Sequence, residues 1–498
     1  MATQTSAPPA SSVTLPRVLG PLAALCVVVG SVIGSGIFLV PANVAREVPY
    51  IGGIVLVWIV GGLFTTAGAL TMAEMGAMIP RAGGPYVYLR EAYGPIPAFL
   101  FGWTEFTVAR AGSMATVAAA FSRYFVQIVP PPDSMNGIVW QAIVATAAIA
   151  IVASINILST RNGGGLQVLG TGLKVGGLLA LVALPFAAGG GDAGNLSPIW
   201  PEQLGGSIFT GFMAAIVGVL WAYDGWMNVT PLAEEIRDPE RNIPRAMIFG
   251  MSTLIALYLA TTLAYHYVLP IPEIAAANET SGGIEKAVAA VYCRELVGHY
   301  GVVAISILVM CSTFITLNGN ALAGPRAYFA MARDGLLPAW FCRVHPKRQT
   351  PGSAVLAQAV WSIALTILGA ALILTPPPGP ESGVPGFIVS GWAAAHKTAL
   401  YDLLFTYVIF GATIFYLLTV SSVFVLRVKL PDMPRPYRTW GYPFTPLLFV
   451  AASLLLLGDM LRNEQSRTQA LAGGVLILLG LPAYYLLRRR NAPEAPPV

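Results

Sequence analysis

The sequence predicts an all-α integral membrane protein of about 12 transmembrane helices, arranged as a five-plus-five inverted repeat with discontinuous helices 1 and 6. Three observations predict this fold class. The 498 residues are 56% hydrophobic and only 10% charged, whereas soluble domains carry about 25% charged residues. Apolar runs of about 20 residues recur along the whole chain. Two of these runs are interrupted at their centres by residues that weaken a membrane helix.

The first interruption is Gly34-Ser35-Gly36, inside the apolar run from Val27 to Pro41. A membrane helix must satisfy its own backbone polar groups, so glycines at this depth weaken it where an unpaired N–H or C=O is costly. The second interruption is the segment 222–226, which places Asp224 inside an apolar run. Lipid does not tolerate an acid there. Two broken helices far apart in sequence predict a binding site between them.

The apolar runs divide the chain into a single membrane domain, 17–490, with tails at both ends. The predicted spans are 21–46, 53–79, 96–129, 138–158, 165–186, 207–235, 243–269, 301–331, 354–374, 400–426, 445–461 and 470–487. The breaks fall in the first and sixth spans, as expected for a five-helix unit repeated with opposite topology. The predicted parts are a disordered cytoplasmic tail over 1–16, repeats over 17–190 and 205–428, two additional helices over 444–488, and a cytoplasmic tail over 491–498.

The distribution of basic residues predicts the orientation. With a cytoplasmic N-terminus, nineteen of the 28 Lys and Arg residues fall in inside loops and tails and six fall outside, leaving Arg110, Arg123 and Lys174 within spans. The positive-inside rule therefore places both termini in the cytoplasm of a multi-pass cell (inner) membrane protein. The net charge of +5 is then a consequence of topology, and we expect no nucleic-acid surface.

Cysteine and histidine spacings exclude several other classes. Cys26, Cys293, Cys311 and Cys342 have no CxxC spacing, and the four histidines form no metal-binding pattern. We therefore expect no disulfide framework, no metal and no cofactor. In the long outside loop after the seventh span, the mixed pattern of 284–291 predicts a short helix that is either a lid over the site or an ordinary surface helix.

The two breaks offer complementary charges. The half-helix that begins near Ile37 directs its N–H groups and positive dipole end to the membrane centre, where Gly34, Ser35 and Gly36 can donate to a carboxylate. The carbonyls at the ends of the preceding half-helices, near Ile33 and Trp221, suit an ammonium. An anion site beside a cation site matches the backbone of an α-amino acid.

Several side chains near the breaks have more than one interpretation. Asp224 is a partner for a cationic or polar side chain, a proton carrier, or a structural acid bonded to its unwound backbone. Trp221 closes over a ligand or packs in the core. Lys174, in the middle of its span, must find carbonyl or acidic partners, and a fixed ammonium there predicts sodium independence. Glu105 and Arg110 are predicted to be a structural pair.

Several motifs together resemble the amino acid-polyamine-organocation superfamily. They are Gly34-Ser35-Gly36-Ile37-Phe38, Trp221-Ala222-Tyr223-Asp224-Gly225-Trp226, Glu234-Glu235 with Asp238-Pro239, Asn242-Ile243-Pro244-Arg245-Ala246, and Arg326 with Ala332-Arg333-Asp334-Gly335-Leu336-Leu337-Pro338. Within the superfamily the chain looks most like L-type amino acid transporters and bacterial relatives such as serine/threonine exchangers. The resemblance covers nearly the whole chain and implies a LeuT-like fold, alternating access and sodium-independent amino acid exchange across the plasma membrane.

The resemblance also implies roles for individual residues. The predicted substrate-binding residues are Ile33, Gly34, Ser35, Gly36, Trp221, Ala222 and Asp224. Of these, the resemblance assigns Gly34, Ser35 and Gly36 to the substrate carboxylate. Trp221 takes the aromatic gate position, and Lys174 matches the lysine that replaces sodium. Asp224 matches an acid found both in the cystine and dibasic amino acid exchanger and in bacterial members with neutral substrates. Animal members bind a glycoprotein through a cysteine between the third and fourth spans. The segment 130–136 has none, so we expect no disulfide-linked heavy subunit.

The leading hypothesis is thus an amino acid exchanger that performs no chemistry on its substrate. One alternative is a proton-coupled amino acid symporter with Asp224, Glu105 or Lys174 as proton site. A different class, a nutrient sensor on a transporter scaffold, needs only binding. The sequence contains no HExxH motif and no Cys/His cluster, so we predict that the protein is not an enzyme.

Overall fold

The computed structural model describes residues 14–201, 207–277, 287–378, 400–462 and 464–490, together with 389, 392 and 393. Its α-helices in these ranges are α1 (Pro21–Val32), α2 (Gly36–Glu47), α3 (Ile51–Met78), α4 (Pro85–Tyr93), α5 (Pro95–Thr104), α6 (Arg110–Ile128), α7 (Gly137–Leu158), α8 (Thr160–Ala188), α9 (Ser207–Ala222), α10 (Pro239–Val268), α11 (Ile271–Ala276), α12 (Val288–Val297), α13 (His299–Arg333), α14 (Gly352–Leu374), α15 (Leu400–Lys429), α16 (Phe444–Arg462), α17 (Glu464–Leu478) and α18 (Gly480–Arg490). The other helical segments are the π-helix Glu105–Ala109 and the 3-10 helices Ala193–Leu196, Trp226–Glu235 and Ala339–Cys342.

The helices confirm the prediction of an all-α, multi-pass membrane protein. Within the described ranges, nine helical segments are long and apolar enough to cross a membrane, and the bent pair α1 and α2 adds a tenth. Large apolar side chains face outward from these helices. Leu169 and Phe186 on α8, for example, are 76% and 74% exposed. Such surfaces are suited to lipid rather than water.

Both predicted helix breaks are present. α1 and α2 meet at an angle of 42°, with residues 33–35 between them. The sixth predicted span consists of α9, a turn at 223–225 and the 3-10 helix Trp226–Glu235. The third span also differs from a uniform helix, because the π-helical turn Glu105–Ala109 separates α5 from α6. Turns of this kind occur frequently at functional sites.

Three details differ from the predicted boundaries. The helix expected over 284–291 begins at Val288 and continues to Val297, and residues 284–286 lie outside the described residues. The last predicted span consists of two helices, α17 and α18. At the end of the predicted tail, Leu15 is buried and its N–H donates to Glu234 over 2.8 Å. Residues 1–13 and 491–498 lie outside the described part of the chain.

The core consists of two apolar clusters, and the larger one contains residues of both broken spans. α1 packs against α8 and α10, and α10 packs along α3. A separate apolar cluster joins α6, α7, α13 and α14 through residues such as Met114, Ile149 and Leu317. α1 and the 3-10 helix after α9 both contact α13, so both broken spans adjoin a helix of the second cluster.

A buried ion pair fixes the end of the second broken span. The Arg326 guanidinium on α13 donates to both carboxylate oxygens of Glu235, over 2.8 and 3.2 Å. It also donates to the Thr160 hydroxyl over 3.1 Å. The side chains of Arg326 and Glu235 are 1% and 0% exposed. Because neither charge reaches solvent, each depends on the other for compensation.

Replacing Arg326 by methionine is expected to destabilise the protein by about 3–5 kcal/mol, because it leaves the Glu235 carboxylate buried without its partner. The change would appear as a lower midpoint of thermal unfolding of the purified protein in detergent. The double variant R326M/E235L should recover most of the loss. Arg81→Met is the matched control, because the Arg81–Glu91 pair is exposed and such pairs contribute about 0–1 kcal/mol. Equal midpoints for the R326M and R81M variants would contradict the prediction.

Candidate functional site

At the first break, one lysine donates hydrogen bonds to two backbone carbonyls at the end of α1. The Lys174 ammonium on α8 donates to the carbonyls of Gly30 and Ile33, over 2.6 and 2.5 Å, and to the Thr316 hydroxyl over 2.8 Å. Lys174 is 1% exposed, so it does not extend to the membrane surface. The predicted buried lysine with carbonyl partners is therefore present. Its charge compensates the negative, C-terminal end of α1.

The Ile33 carbonyl is more fully occupied than the sequence indicates. Besides Lys174, it accepts from the hydroxyls of Ser312 and Thr316, over 3.0 and 3.1 Å. It is buried behind these donors, and Ile33 is not among the residues that line the adjoining cavity. Its capacity to bind a ligand ammonium is correspondingly small. On the other side of the break, α2 begins at Gly36.

The second break is a tight turn that requires glycine. Gly225 has φ +104°, and a Cβ atom there would lie 3.0 Å from the Ser31 carbonyl carbon and oxygen. The Asp224 N–H donates to the Trp221 carbonyl over 2.9 Å. The Asp224 carboxylate accepts a 2.5 Å hydrogen bond from the Tyr416 hydroxyl on α15. Asp224 therefore bonds across to another helix, and no bond from its own unwound backbone to the carboxylate is present in the described residues.

The two breaks contact each other directly. A Cβ atom on Gly36 would lie 2.6 Å from Ala222 Cα, so α2 passes the end of α9 at the closest separation that glycine allows. The Tyr258 hydroxyl on α10 lies 3.0 Å from the carbonyls of both Val32 and Ala222. Tyr258 thus joins the last residues of the two half-helices. Ala222 is 1% exposed and acts here as a packing residue.

A cavity lies between the breaks. Of the predicted residues, it brings together Gly34, Ser35, Gly36, Trp221 and Asp224. Ile33, Ala222 and Lys174 do not line it. Lys174 instead lies behind the wall, where it bonds Thr316. The predicted donors of the first break and the acid and aromatic residue of the second thus face one cavity.

Four polar residues that line this cavity were not predicted. They are Ser31, Ser113, Thr316 and Asn320. Ser113 belongs to α6, whereas Thr316 and Asn320 belong to α13. Each lies in an apolar helix whose sequence gives no indication of which face turns inward. A serine or threonine in such a helix is equally able to bond its own backbone, so residue type alone could not have found them.

The π-helical turn places the charged Arg110 side chain beside the cavity wall. Arg110 follows the turn and donates to Glu105 over 2.9 Å, which confirms the predicted pair. It also donates to the amide oxygens of Asn228 and Asn320, over 2.7 and 3.1 Å. The Asn320 amide then donates to the Ser113 hydroxyl over 3.1 Å. A continuous polar network therefore runs from the Glu105–Arg110 pair to the cavity wall.

At the end of the bundle where α1 begins, several contacts close the protein. Backbone bonds of 2.9 Å join Leu19 N–H to the Glu235 carbonyl and Arg237 N–H to the Leu19 carbonyl. The Glu234 carboxylate pairs with Arg333 over 3.1 Å. Nearby, the Tyr86 hydroxyl on α4 donates to Asp334 over 2.8 Å. Burial and the Asp334 carboxylate raise the pKa of Tyr86, so it stays neutral and continues to donate.

The fold and the cavity define a class of membrane permease. The model of the amino acid permease family matches residues 19–473, and the chain belongs to this family. This confirms the resemblance to the amino acid-polyamine-organocation superfamily.

Individual relatives cover almost the whole chain. The serine/threonine exchanger SteT of Bacillus subtilis (strain 168) is 31% identical over 482 residues, which are 96% of this chain and 98% of that protein. The b(0,+)-type amino acid transporter 1 of Mus musculus is 29% identical over 95% of this chain and 88% of its own. The large neutral amino acids transporter small subunit 2 of Oryctolagus cuniculus is 31% identical over 95% and 81%.

Proposed function

We propose that this protein is a sodium-independent exchanger of L-amino acids that works by alternating access. The observation that carries the proposal is the cavity between two broken helices, with the N-terminus of α2 on one side and the Lys174 ammonium fixed behind the wall. The relatives named as exchangers and amino acid transporters support it. The substrate is moved without covalent change, so the protein is not an enzyme.

The α-carboxylate of the substrate binds to the N–H groups of Gly34, Ser35 and Gly36 at the positive end of α2. The ammonium binds to carbonyl oxygens at the break of the second span, near Trp221, because the Ile33 carbonyl already accepts from Lys174 and two hydroxyls. Trp221 acts as the gate. The side chain of the substrate meets Ser113, Asn320 and Asp224.

Sodium independence follows from Lys174. In a sodium-coupled relative of this architecture, carbonyl oxygens of a broken helix hold the ion. Here the carbonyls of Gly30 and Ile33 accept from an ammonium that is part of the chain. A sodium ion at these carbonyls would have to displace the ammonium, because two positive charges at such a short distance repel each other strongly.

We also propose how the spans and the two termini are arranged in the membrane. Ten of the twelve spans form an inverted repeat of 17–190 and 205–428, and the two additional helices over 444–488 follow. Both termini lie in the cytoplasm of the cell, where the contacts of Glu234 and Glu235 close the inner side. A substrate released inward must separate these contacts. No disulfide-linked heavy subunit is required, because 130–136 lacks cysteine.

The test is uptake of labelled amino acids into proteoliposomes, without sodium and at fixed pH. Uptake is expected only when unlabelled amino acid is trapped inside, since exchange needs a substrate for the return step. Protein-free liposomes and protein reconstituted without internal amino acid are the controls. Sodium should change the rate by less than about twofold, a free-energy difference under about 0.4 kcal/mol.

Other outcomes would contradict exchange in distinct ways. Uptake into empty vesicles that follows an imposed proton gradient would indicate a proton-coupled symporter. Saturable binding of amino acids without any flux would indicate a sensor. In both cases the cavity would remain a binding site, and only the transport mechanism would change.

A further inference from the structure

A second cavity adjoins Trp221 and the turn of the second break. It is bounded by α3, α9, α15 and α16, and it is larger than the cavity between the breaks. Trp221 and Asp224 line both cavities. Phe449, Ser453 and Leu456 of α16 line only the second one. The two cavities therefore share one wall but have different chemistry on their far sides.

Aromatic rings form a continuous surface in the second cavity. Phe64 stacks on Phe449 with ring centroids 4.4 Å apart. Trp226 meets the rings of Phe449 and Tyr416 edge to face, each at 6.0 Å. Leu456 adds an aliphatic side. Aromatic faces attract cations through their quadrupole, and aromatic cages are a recurrent way to bind ammonium groups.

Among the described residues that line this cavity, one is a carboxylate. One oxygen of Asp224 accepts the Tyr416 hydroxyl over 2.5 Å, and the second has no hydrogen-bond partner among the described residues. Asp224 is only partly buried. An acceptor with remaining capacity, surrounded by aromatic faces, favours a cationic hydrogen-bond donor over a neutral group. Gly34, Ser35 and Gly36, which we assign to the substrate carboxylate, do not line this cavity. Its described lining therefore does not offer the N-terminus of α2 to the carboxylate of an amino acid.

We propose that this cavity binds a lipophilic amine, a molecule with one protonated amino group, an aryl or alkyl body and no carboxylate. The amino group pairs with Asp224 and lies against Tyr416 and Trp226. The body packs against Phe64, Phe449 and Leu456 on the cavity wall. Because Trp221 forms the wall common to both cavities, a bound amine restricts the movement of its indole. This second consequence rests on the proposed function, and it predicts that the amine lowers the maximal exchange rate.

The experiment compares 4-phenylbutylamine with its neutral counterpart 4-phenylbutanol, each titrated calorimetrically into the purified protein in detergent. The amine is expected to bind at least about tenfold more tightly, a difference of about 1.4 kcal/mol. Asp224→Asn, which keeps an acceptor for Tyr416, should remove the difference between the two molecules. Equal affinity in the unaltered protein would overturn the proposal and would indicate that the cavity takes neutral apolar molecules such as lipid chains.

Variants of α16 locate the bound amine. Ser453 is 1% exposed, so Ser453→Phe fills the cavity and should weaken amine binding at least tenfold. Should this variant fail to fold, Met460→Trp is the second variant. Met460 also lines the cavity and is partly exposed, so a larger side chain there narrows the cavity and is expected to have the same effect. Leu455→Phe is the matched control, because Leu455 on the same helix is 66% exposed and does not line the cavity.

Two results separate this proposal from the proposed function. Amine binding that persists in both filling variants and disappears with saturating amino acid would assign the amine to the cavity between the breaks, and would overturn the inference. Amine binding as expected in a protein that exchanges no amino acid would contradict only the proposed function, because calorimetry needs no transport.

Discussion

Replacing Lys174 by methionine is expected to reduce amino acid exchange at least about 100-fold, because the methionine side chain donates to none of the three oxygens that the ammonium holds. Hydrogen bonds to a charged group contribute about 1.5–3 kcal/mol each, and the three bonds fix the angle between α1 and α2. Without these bonds, the Gly30 and Ile33 carbonyls lose their buried ammonium donor. The angle between α1 and α2 is then no longer held at one value. The measurement is the initial rate of exchange in proteoliposomes, normalised to the folded protein recovered from the vesicles.

The control for this prediction is another lysine that caps a carbonyl. Lys429 donates to the Ala92 carbonyl over 2.7 Å, but it lies at the end of α15 and does not line the cavity between the breaks. Lys429→Met removes the same charge and should retain exchange within about twofold, a difference of about 0.4 kcal/mol in the activation free energy. Equal losses in the K174M and K429M variants would mean that lysine removal acts through general stability, and would contradict a specific role of Lys174.

Gly36→Ala is expected to lower exchange at least about tenfold, because overpacking by a single methyl group costs about 1–3 kcal/mol where the neighbours cannot move. The added Cβ would lie 2.6 Å from Ala222 Cα and 2.8 Å from Ala222 Cβ. Backbone atoms cannot yield as a flexible side chain does, so α2 and α9 must separate. This separation changes the distance between the two breaks and hence the cavity that they bound.

Gly34→Ala provides a matched comparison within the same motif. The atoms nearest to a Cβ there belong to Thr316 and the Val32 carbonyl, at 3.6–3.8 Å, which is ordinary van der Waals contact. The backbone N–H that we assign to the substrate carboxylate remains present. We therefore expect a change within about threefold, which corresponds to less than about 0.7 kcal/mol. Similar losses in the G34A and G36A variants would contradict the close approach of α2 and α9 as the cause.

The comparison of these two glycines illustrates how far the sequence alone could predict the site. Both glycines interrupt the same apolar run, and nothing in the sequence distinguishes them. The sequence did predict the break itself, the buried lysine and the Glu105–Arg110 pair, because a charge or a glycine inside an apolar run is conspicuous wherever it lies. It could not predict that the Ile33 carbonyl already accepts from Lys174, Ser312 and Thr316, since these residues are more than 140 positions apart from it.

By itself, the sequence determined the class of this protein: an all-α membrane protein with two interrupted helices and the motifs of an amino acid permease family. These properties are local, because hydrophobicity, glycine content and the distribution of basic residues act within single segments. Only the tertiary structure decided which faces of the helices meet. Ser113, Asn320 and Tyr416 reach the site through the rotation of α6, α13 and α15 about their own axes. In a helix that is apolar on nearly all sides, packing against its neighbours fixes that rotation, and the periodicity of the sequence does not.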